Sequence, residues 1–208
     1  MAVAPEEGAS RRHVLDCAAR LFRREGYATV SLRDIAAESG MKAGSLYYHF
    51  ESKEVIVVEI LNIGVRRVHE AVEQAIGALP PQAPIAHVIG SAIQAHLRAL
   101  HESGDYTSAN IRIFGQVPDS IRNGHIAVRR SYEALWADLL GRGVASGELR
   151  GDISITGLRA FLLGAMNTSL EWLEPRRGGL TRIGNDLASI VLDGASASKT
   201  ARVPDRTA

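Results

Sequence analysis

Between Ser31 and Lys53 the chain reads Ser-Leu-Arg-Asp-Ile-Ala-Ala-Glu-Ser-Gly-Met-Lys-Ala-Gly-Ser-Leu-Tyr-Tyr-His-Phe-Glu-Ser-Lys, and such a segment admits few folds. Ser31 suits a helix N-cap, with Asp34 in the first turn, where the helix dipole favours a carboxylate. Leu32, Ile35 and Ala36 follow at spacings of three and four and make one narrow apolar stripe. Gly40 supplies a positive φ that ends the helix near Ser39 and turns the chain. A second short helix runs from about Lys42 to His49. A step of about 100° per residue puts Leu46 and Phe50 on its buried side, turns Gly44, Ser45 and Tyr48 away from the core, and leaves Tyr47 and His49 on the flanks. Both stripes need a neighbour to pack on. Val14, Leu15, Ala18, Leu21 and Phe22 provide it, on a preceding helix closed by Gly26-Tyr27.

The second helix exposes phenols, an imidazole and a hydroxyl, with no carboxylate between Glu38 and Glu51. The missing Cβ at Gly44 lets a sugar-phosphate strand or base edge approach the backbone, and amides near Lys42 can bind phosphate. Two helices joined by a tight turn with that surface fit a DNA groove. The other reading is that Tyr47, Tyr48 and Phe50 are an aromatic anchor at a helix end, and that Ser31 is only a cap.

Gly26-Tyr27, Ile35-Ala36, Gly40, Gly44, Leu46-Tyr47-Tyr48-His49-Phe50 and Ser52-Lys53 together resemble the N-terminal domain of the TetR family of bacterial repressors, over roughly residues 10 to 58. The resemblance implies a three-helix domain that docks its third helix in the major groove and a fourth helix linking it to a ligand-binding, dimerising body. It implies that Lys42, Ala43 and Gly44 lie nearest base edges, that Ser45, Tyr47, Tyr48 and His49 contact bases or phosphates, and that Ser31, Arg33 and Lys53 grip the DNA backbone. With alanine at position 43, direct readout would rest on Lys42, Tyr47 and thymine-methyl contact.

Charge bounds how such a reader works. The formal net charge is +1, and residues 10–55 hold 8 Lys and Arg against 6 Asp and Glu. A blanket basic patch is absent, so binding depends on placed contacts doubled in a dimer, with a shallow salt dependence. No run of about 18 apolar residues appears, and Met1 to Ser10 carries two glutamates instead of a signal sequence, so a cytoplasmic protein with no membrane partner is expected. Cys17 is the single cysteine, which excludes an intrachain disulfide and a cysteine metal site; its helical context suggests packing.

The rest of the chain is helical in pattern, without strand-like alternation. Ser52 can cap a long helix with Leu61, Val65, Val68, Val72, Ala75, Ile76 and Leu79 in register until Pro80-Pro81, roughly 38 Å at 1.5 Å per residue, with Gly64 as a soft point. Further helices are expected over about 85–102, 106–116, 119–147, 156–173 and 180–192, separated at Pro118, Gly151-Asp152, Pro175 and Gly178-Gly179. The expected fold is all-α with about nine helices: a disordered arm over 1–9, a helix-turn-helix domain over 10–52, a linker helix over 53–79, a ligand-binding and dimerisation domain over 80–195, and a polar, disordered tail over 196–208.

The last two helices carry stripes at Leu158, Phe161, Leu162, Ala165 and Leu173, and at Leu180, Ile183, Leu187, Ile190 and Val191. Joined across a twofold axis they make a four-helix bundle that sets two reading helices about one DNA turn apart on a palindromic operator; the alternative is an intramolecular core. Candidate pocket residues are His96, Tyr106, Arg112, Phe114, Trp136, Met166 and Asn167. His87 and His96 lie on opposite sides of one helix and His96 and His101 are five apart, so the i, i+4 chelate spacing is missing. No metal or cofactor is called for.

The sequence thus reads as a homodimeric regulator, most simply a repressor, released by a small hydrophobic effector. Glu171 to Leu180 resembles the C-terminal region of TetR-type regulators of fatty-acid or steroid degradation, which implies an acyl-CoA or lipid-like effector. Alternatives are a multidrug-sensing repressor of an efflux gene, or a helical protein-binding module with a degenerate DNA reader. An enzyme finds no support: there is no Gly-rich phosphate loop, nucleophile elbow or paired His-Glu motif.

Overall fold

The computed structural model describes residues 5–173 and 179–195, with side chains from residue 9 onward. The tail over 196–208, the first four residues and the stretch 174–178 lie outside the described residues. Among those described there are nine α-helices and no β-strand: α1 (Pro5–Glu25), α2 (Leu32–Glu38), α3 (Ala43–His49), α4 (Lys53–Gly77), α5 (Ile85–Glu102), α6 (Asp105–Ile113), α7 (Asp119–Ala145), α8 (Ile155–Trp172) and α9 (Gly179–Ala195). The breaks fall where the glycines and prolines indicate. Helix α1 begins at Pro5, inside the stretch expected as an arm, and α6 ends at Ile113 instead of reaching Gln116.

Helix α2 starts with a reciprocal cap: the Asp34 N–H donates to Ser31 Oγ, and the Asp34 carboxylate accepts from the Ser31 N–H at 2.8 Å and its hydroxyl at 2.6 Å. Those bonds hold the Asp34 carboxyl below the usual carboxylate range. Gly40 then turns the chain at φ 66°, a conformation that costs other L-residues energy.

Two cores organise the molecule. The first joins Val14, Ala18, Phe22, Ile35, Leu46, Phe50 and Ile60 of the N-terminal helices with Tyr106, Ala109 and Ile113 of α6 and Val117 and Ile121 beyond it. The second gathers Val68 and Val72 of α4, one face of α5, Tyr132, Trp136 and Leu140 of α7, Leu162 and Met166 of α8, and Val191 of α9. Cys17 is buried against α2, its thiol donating to the Glu38 carbonyl at 3.6 Å, and burial pushes the thiol up. Helix α4 serves both cores. Gly64, expected as a soft point, is a crossing point: a Cβ there would stand 2.9 Å from the Tyr106 carbonyl oxygen, so the glycine is what lets α6 lie directly on α4.

The stripes assigned to a partner divide. Leu162 and Val191 turn inward to the second core, whereas Phe161 and Ile190 remain 59% and 63% exposed; Trp172, outside the expected stripes, is also 55% exposed. Adjacent helical positions differ by about 100°, so one broad stripe serves two surfaces.

Candidate nucleic-acid interface and interior cavity

The reading helix is arranged as its periodicity requires. Leu46 and Phe50 are buried; Lys42, Ala43, Gly44, Ser45, Tyr47 and Tyr48 are exposed, and His49 is half-buried. Tyr48 reaches 76% exposure and packs edge-on against His49 at 5.4 Å. Aromatic rings this open bury little of their area against the chain itself. Arg33 is exposed on α2.

Two of the residues expected on the DNA backbone have work inside the fold. Ser31 is engaged in the cap just described. Lys53 donates from Nζ to the Tyr27 carbonyl at 3.1 Å and the Val30 carbonyl at 3.0 Å, and lies 4.1 Å from the Tyr27 ring centre. It ties the start of α4 to the α1–α2 loop with two of its three donors.

The body holds a partly open cavity of about 260 Å³, formed where α4 to α8 converge. Val65, Val68, Leu100, Ile111, Phe114 and Leu163 give it apolar walls, and Gly64, Thr107, Asn110, His96, His125 and Asn167 the remainder. Arg129 and Glu133 stand at its more exposed side, ion-paired at 2.9 Å, with Arg159 joining Glu133 at 3.5 Å.

Its polar groups are largely pre-ordered. His96 is buried and contacts the Tyr132 hydroxyl through Nδ1 at 2.6 Å and Asn167 Oδ1 through Nε2 at 3.3 Å. Asn167 Oδ1 can only accept, so Nε2 carries the proton and Nδ1 accepts from Tyr132. Burial lowers His96 to about 4 and keeps it neutral. His125, 1% exposed, meets Asn62 Oδ1 through Nδ1 at 2.8 Å and is likewise lowered to about 4, by burial and then by the Arg129 charge.

Of the residues expected around a pocket, His96, Phe114 and Asn167 line this one. The others lie outside it. Tyr106 points to α1, donating its hydroxyl to Asp16 Oδ1 at 2.6 Å under the Arg67 guanidinium, 4.4 Å from its ring; burial and Asp16 raise its phenol. Arg112 lies in an outer groove with Arg23 and Arg24. Trp136 and Met166 are fully buried packing. Thr107, Asn110, His125, Arg129 and Tyr132 were not marked by the sequence. The recoverable signal was the i, i+4 pair His125 and Arg129 on one face of α7, with Tyr132 and Glu133 one turn on.

Helix α6 connects cavity and reader. Thr107, Asn110, Ile111 and Phe114 face the cavity, while Tyr106 bonds Asp16 and Asp105 pairs with Arg23 of α1 at 2.7 Å. Just beyond the helix, Gln116 Oε1 accepts from the Tyr27 N–H at 3.1 Å.

Comparison with known proteins agrees with this arrangement at both ends. Residues 14–60 match the family described as "Bacterial regulatory proteins, tetR family", and residues 83–195 match "Tetracyclin repressor-like, C-terminal domain". The chain is 28% identical over 204 residues to the HTH-type transcriptional repressor KstR2 of Mycolicibacterium smegmatis, covering 94% of this chain and 95% of that protein. Among solved structures it resembles the TetR family regulator PfmR from Thermus thermophilus, with a TM-score of 0.75, 25% identity, and 88% and 95% of the two chains covered. The fold is shared with the ketosteroid transcriptional regulator KstR2 of Mycobacterium tuberculosis, with a TM-score of 0.73 at 22% identity, covering 94% of this chain and 97% of that one. With a reader at one end, a lined cavity at the other and family matches spanning both, the chain belongs to the TetR family of bacterial DNA-binding transcriptional regulators.

Proposed function

We propose that this chain is a homodimeric repressor that holds a palindromic operator and releases it when a compact, largely apolar effector fills the α4–α8 cavity. The observation that carries this reading is the double duty of α6, which walls the cavity on one side and bonds α1 on the other. An effector that prefers the cavity expanded moves α6 and α4 together and alters the spacing of the two α3 helices. The switch needs differential affinity, not tight binding: about 5.5 kcal/mol carries a 1:99 equilibrium to 99:1.

In this reading Lys42, Ala43, Gly44 and Ser45 approach base edges and phosphates, Tyr47, Tyr48 and His49 flank them, and Arg33 holds the DNA backbone. Ser31 and Lys53 chiefly fix the loops that present α3. Exposed Phe161, Trp172 and Ile190 on α8 and α9 face the second subunit. A lipid-like effector is supported by the apolar walls and by the likeness to a regulator whose name refers to ketosteroids. The cavity accommodates the apolar part of such a molecule; the bulk of an acyl-CoA would remain outside it.

Selection from a random duplex library with the full-length chain, followed by fluorescence anisotropy, tests this. The selected site should be a palindrome with half-site centres one helical turn apart. Tyr47→Ala and Lys42→Ala should each weaken binding at least ten-fold, and Lys42→Ala should lower the salt slope by ~1 per subunit. Unchanged affinity in both variants overturns the DNA-contact assignment.

A further inference from the structure

The body reaches the loop that supports the reading helix through the side chain of Gln116. Gly26, just past the end of α1, donates its N–H to the Phe22 carbonyl at 2.9 Å and turns the chain at φ 86°. The next N–H, that of Tyr27, takes its acceptor from a residue 89 positions away, Gln116 Oε1 at 3.1 Å. Gly26 leaves the room for it, since a Cβ there would stand 2.9 Å from that same oxygen.

Gln116 works from a fixed base. Its backbone N–H donates to the Ile113 carbonyl at 2.8 Å, the adjacent Val117 is buried in the N-terminal core, and Arg122 Nη2 donates to the Gly115 carbonyl at 3.3 Å. Its Nε2 donates to the Arg112 carbonyl at 3.0 Å, so the amide is oriented with Oε1 toward Tyr27.

The Tyr27 peptide is thereby held from both sides. Its carbonyl accepts from Lys53 Nζ at 3.1 Å, and the same ammonium takes the Val30 carbonyl at 3.0 Å. The Tyr27 hydroxyl donates to Glu54 Oε1 at 3.3 Å. Val30 is buried, and the residue after it, Ser31, caps α2. Helices α2 and α3 have seven residues each, too few to be stable alone, so their setting depends on the segments that deliver them.

We infer that Gln116 is a positioning residue for DNA binding: it holds the Tyr27 peptide, Tyr27 and Lys53 hold the α1–α2 loop, and that loop sets α2 and α3 against the operator. The assignment rests on the reading of α3 as the DNA-contacting helix and adds a determinant of operator affinity that lies in the body and touches no DNA.

Gln116→Met keeps the length of the side chain and removes both hydrogen-bonding atoms. Fluorescence anisotropy with the full-length chain and the selected duplex, at a temperature where circular dichroism shows the variant folded, should give binding weaker by about five-fold or more. The salt slope should stay as in the native chain, because no cation leaves a phosphate. In the same variant the Tyr27 amide should exchange with deuterium roughly ten-fold faster. Lys53→Met and the double variant complete a cycle: both side chains act on one peptide, so the double variant should lose less than the product of the two single losses. Native affinity in Gln116→Met, multiplicative losses in the cycle, or a salt slope lowered by about 1 per subunit overturns the assignment. Should the methionine variant fail to fold, the native chain decides: a Tyr27 amide that exchanges as fast as an open one overturns it, and a protected one upholds it. Weakened binding in Tyr47→Ala beside native affinity in Gln116→Met would remove the positioning role alone, whereas native affinity in Tyr47→Ala and Lys42→Ala would remove the reading of α3 itself.

Discussion

Two buried side chains make the protein's stability depend on pH in a defined window. His96 is neutral in the fold because burial lowers it from the ordinary 6.5 to about 4. The unfolded chain therefore binds a proton that the folded chain refuses between those values, and stability falls as the pH drops through them. From His96 alone the loss between pH 8 and pH 5 should be about 2 kcal/mol. His125 acts in the same direction over the same range. Urea unfolding at the two pH values measures it, and a flat profile would mean that the rings are not held neutral. Ser31 offers a second measurement at this scale. Ser31→Ala should cost ~0.5–2 kcal/mol of stability by removing the α2 cap. If capping is its whole role, the folded variant should bind DNA with the affinity of the native chain, and a several-fold loss at a temperature where it stays folded would show a contact as well.

At the scale of elements, the crossing of α4 and α6 carries the most consequence. Gly64→Ala would push a methyl carbon to 2.9 Å from the Tyr106 carbonyl oxygen, a backbone atom that cannot yield by changing rotamer. The helices must part, at ~1–3 kcal/mol. Because α6 is bonded to α1 through Tyr106 and Asp16, the same variant should weaken operator binding in the absence of any ligand. Thermal unfolding and anisotropy on one preparation separate the two effects; normal stability with normal DNA affinity would contradict the close crossing. The helices and their order were legible in the sequence because Gly26, Gly40, Pro80-Pro81, Pro118 and Gly151 punctuate them, and the buried side of α3 followed from its period. The cavity was not. Tyr106 and Thr107 are consecutive, and their opposite destinations, α1 for one and the cavity edge for the other, depend on how α6 rolls between its neighbours. Arg112 and Trp136 lie outside this cavity for the same reason: residue type marks a candidate, but only packing assigns the face.

For the whole molecule, the proposed twofold pairing should be steeply sensitive to single changes. Each residue of a symmetric interface acts twice. Burying a large apolar side chain contributes ~1.5–3 kcal/mol, so Phe161→Glu on α8, which is 59% exposed in the single chain, should weaken self-association by at least ~100-fold. Sedimentation equilibrium measures this, and an unaltered dimer would place the partner surface elsewhere. Operator binding should weaken in parallel, since a chain with a net charge of only +1 has little non-specific attraction to hold one subunit on DNA.

The N-terminal core does not end where the reading domain ends in sequence. Tyr106, Ala109, Ile113, Val117 and Ile121 close it from the far side of α5. A reader cut away after α4 would lose that lid and expose the faces of α1 and α4 that it covers. Exchange of DNA-binding modules between relatives is therefore not free at the linker: a graft that keeps the operator preference of this chain has to bring residues 105–121 with it, or a host whose sixth helix already has a tyrosine for Asp16 and an acid for Arg23.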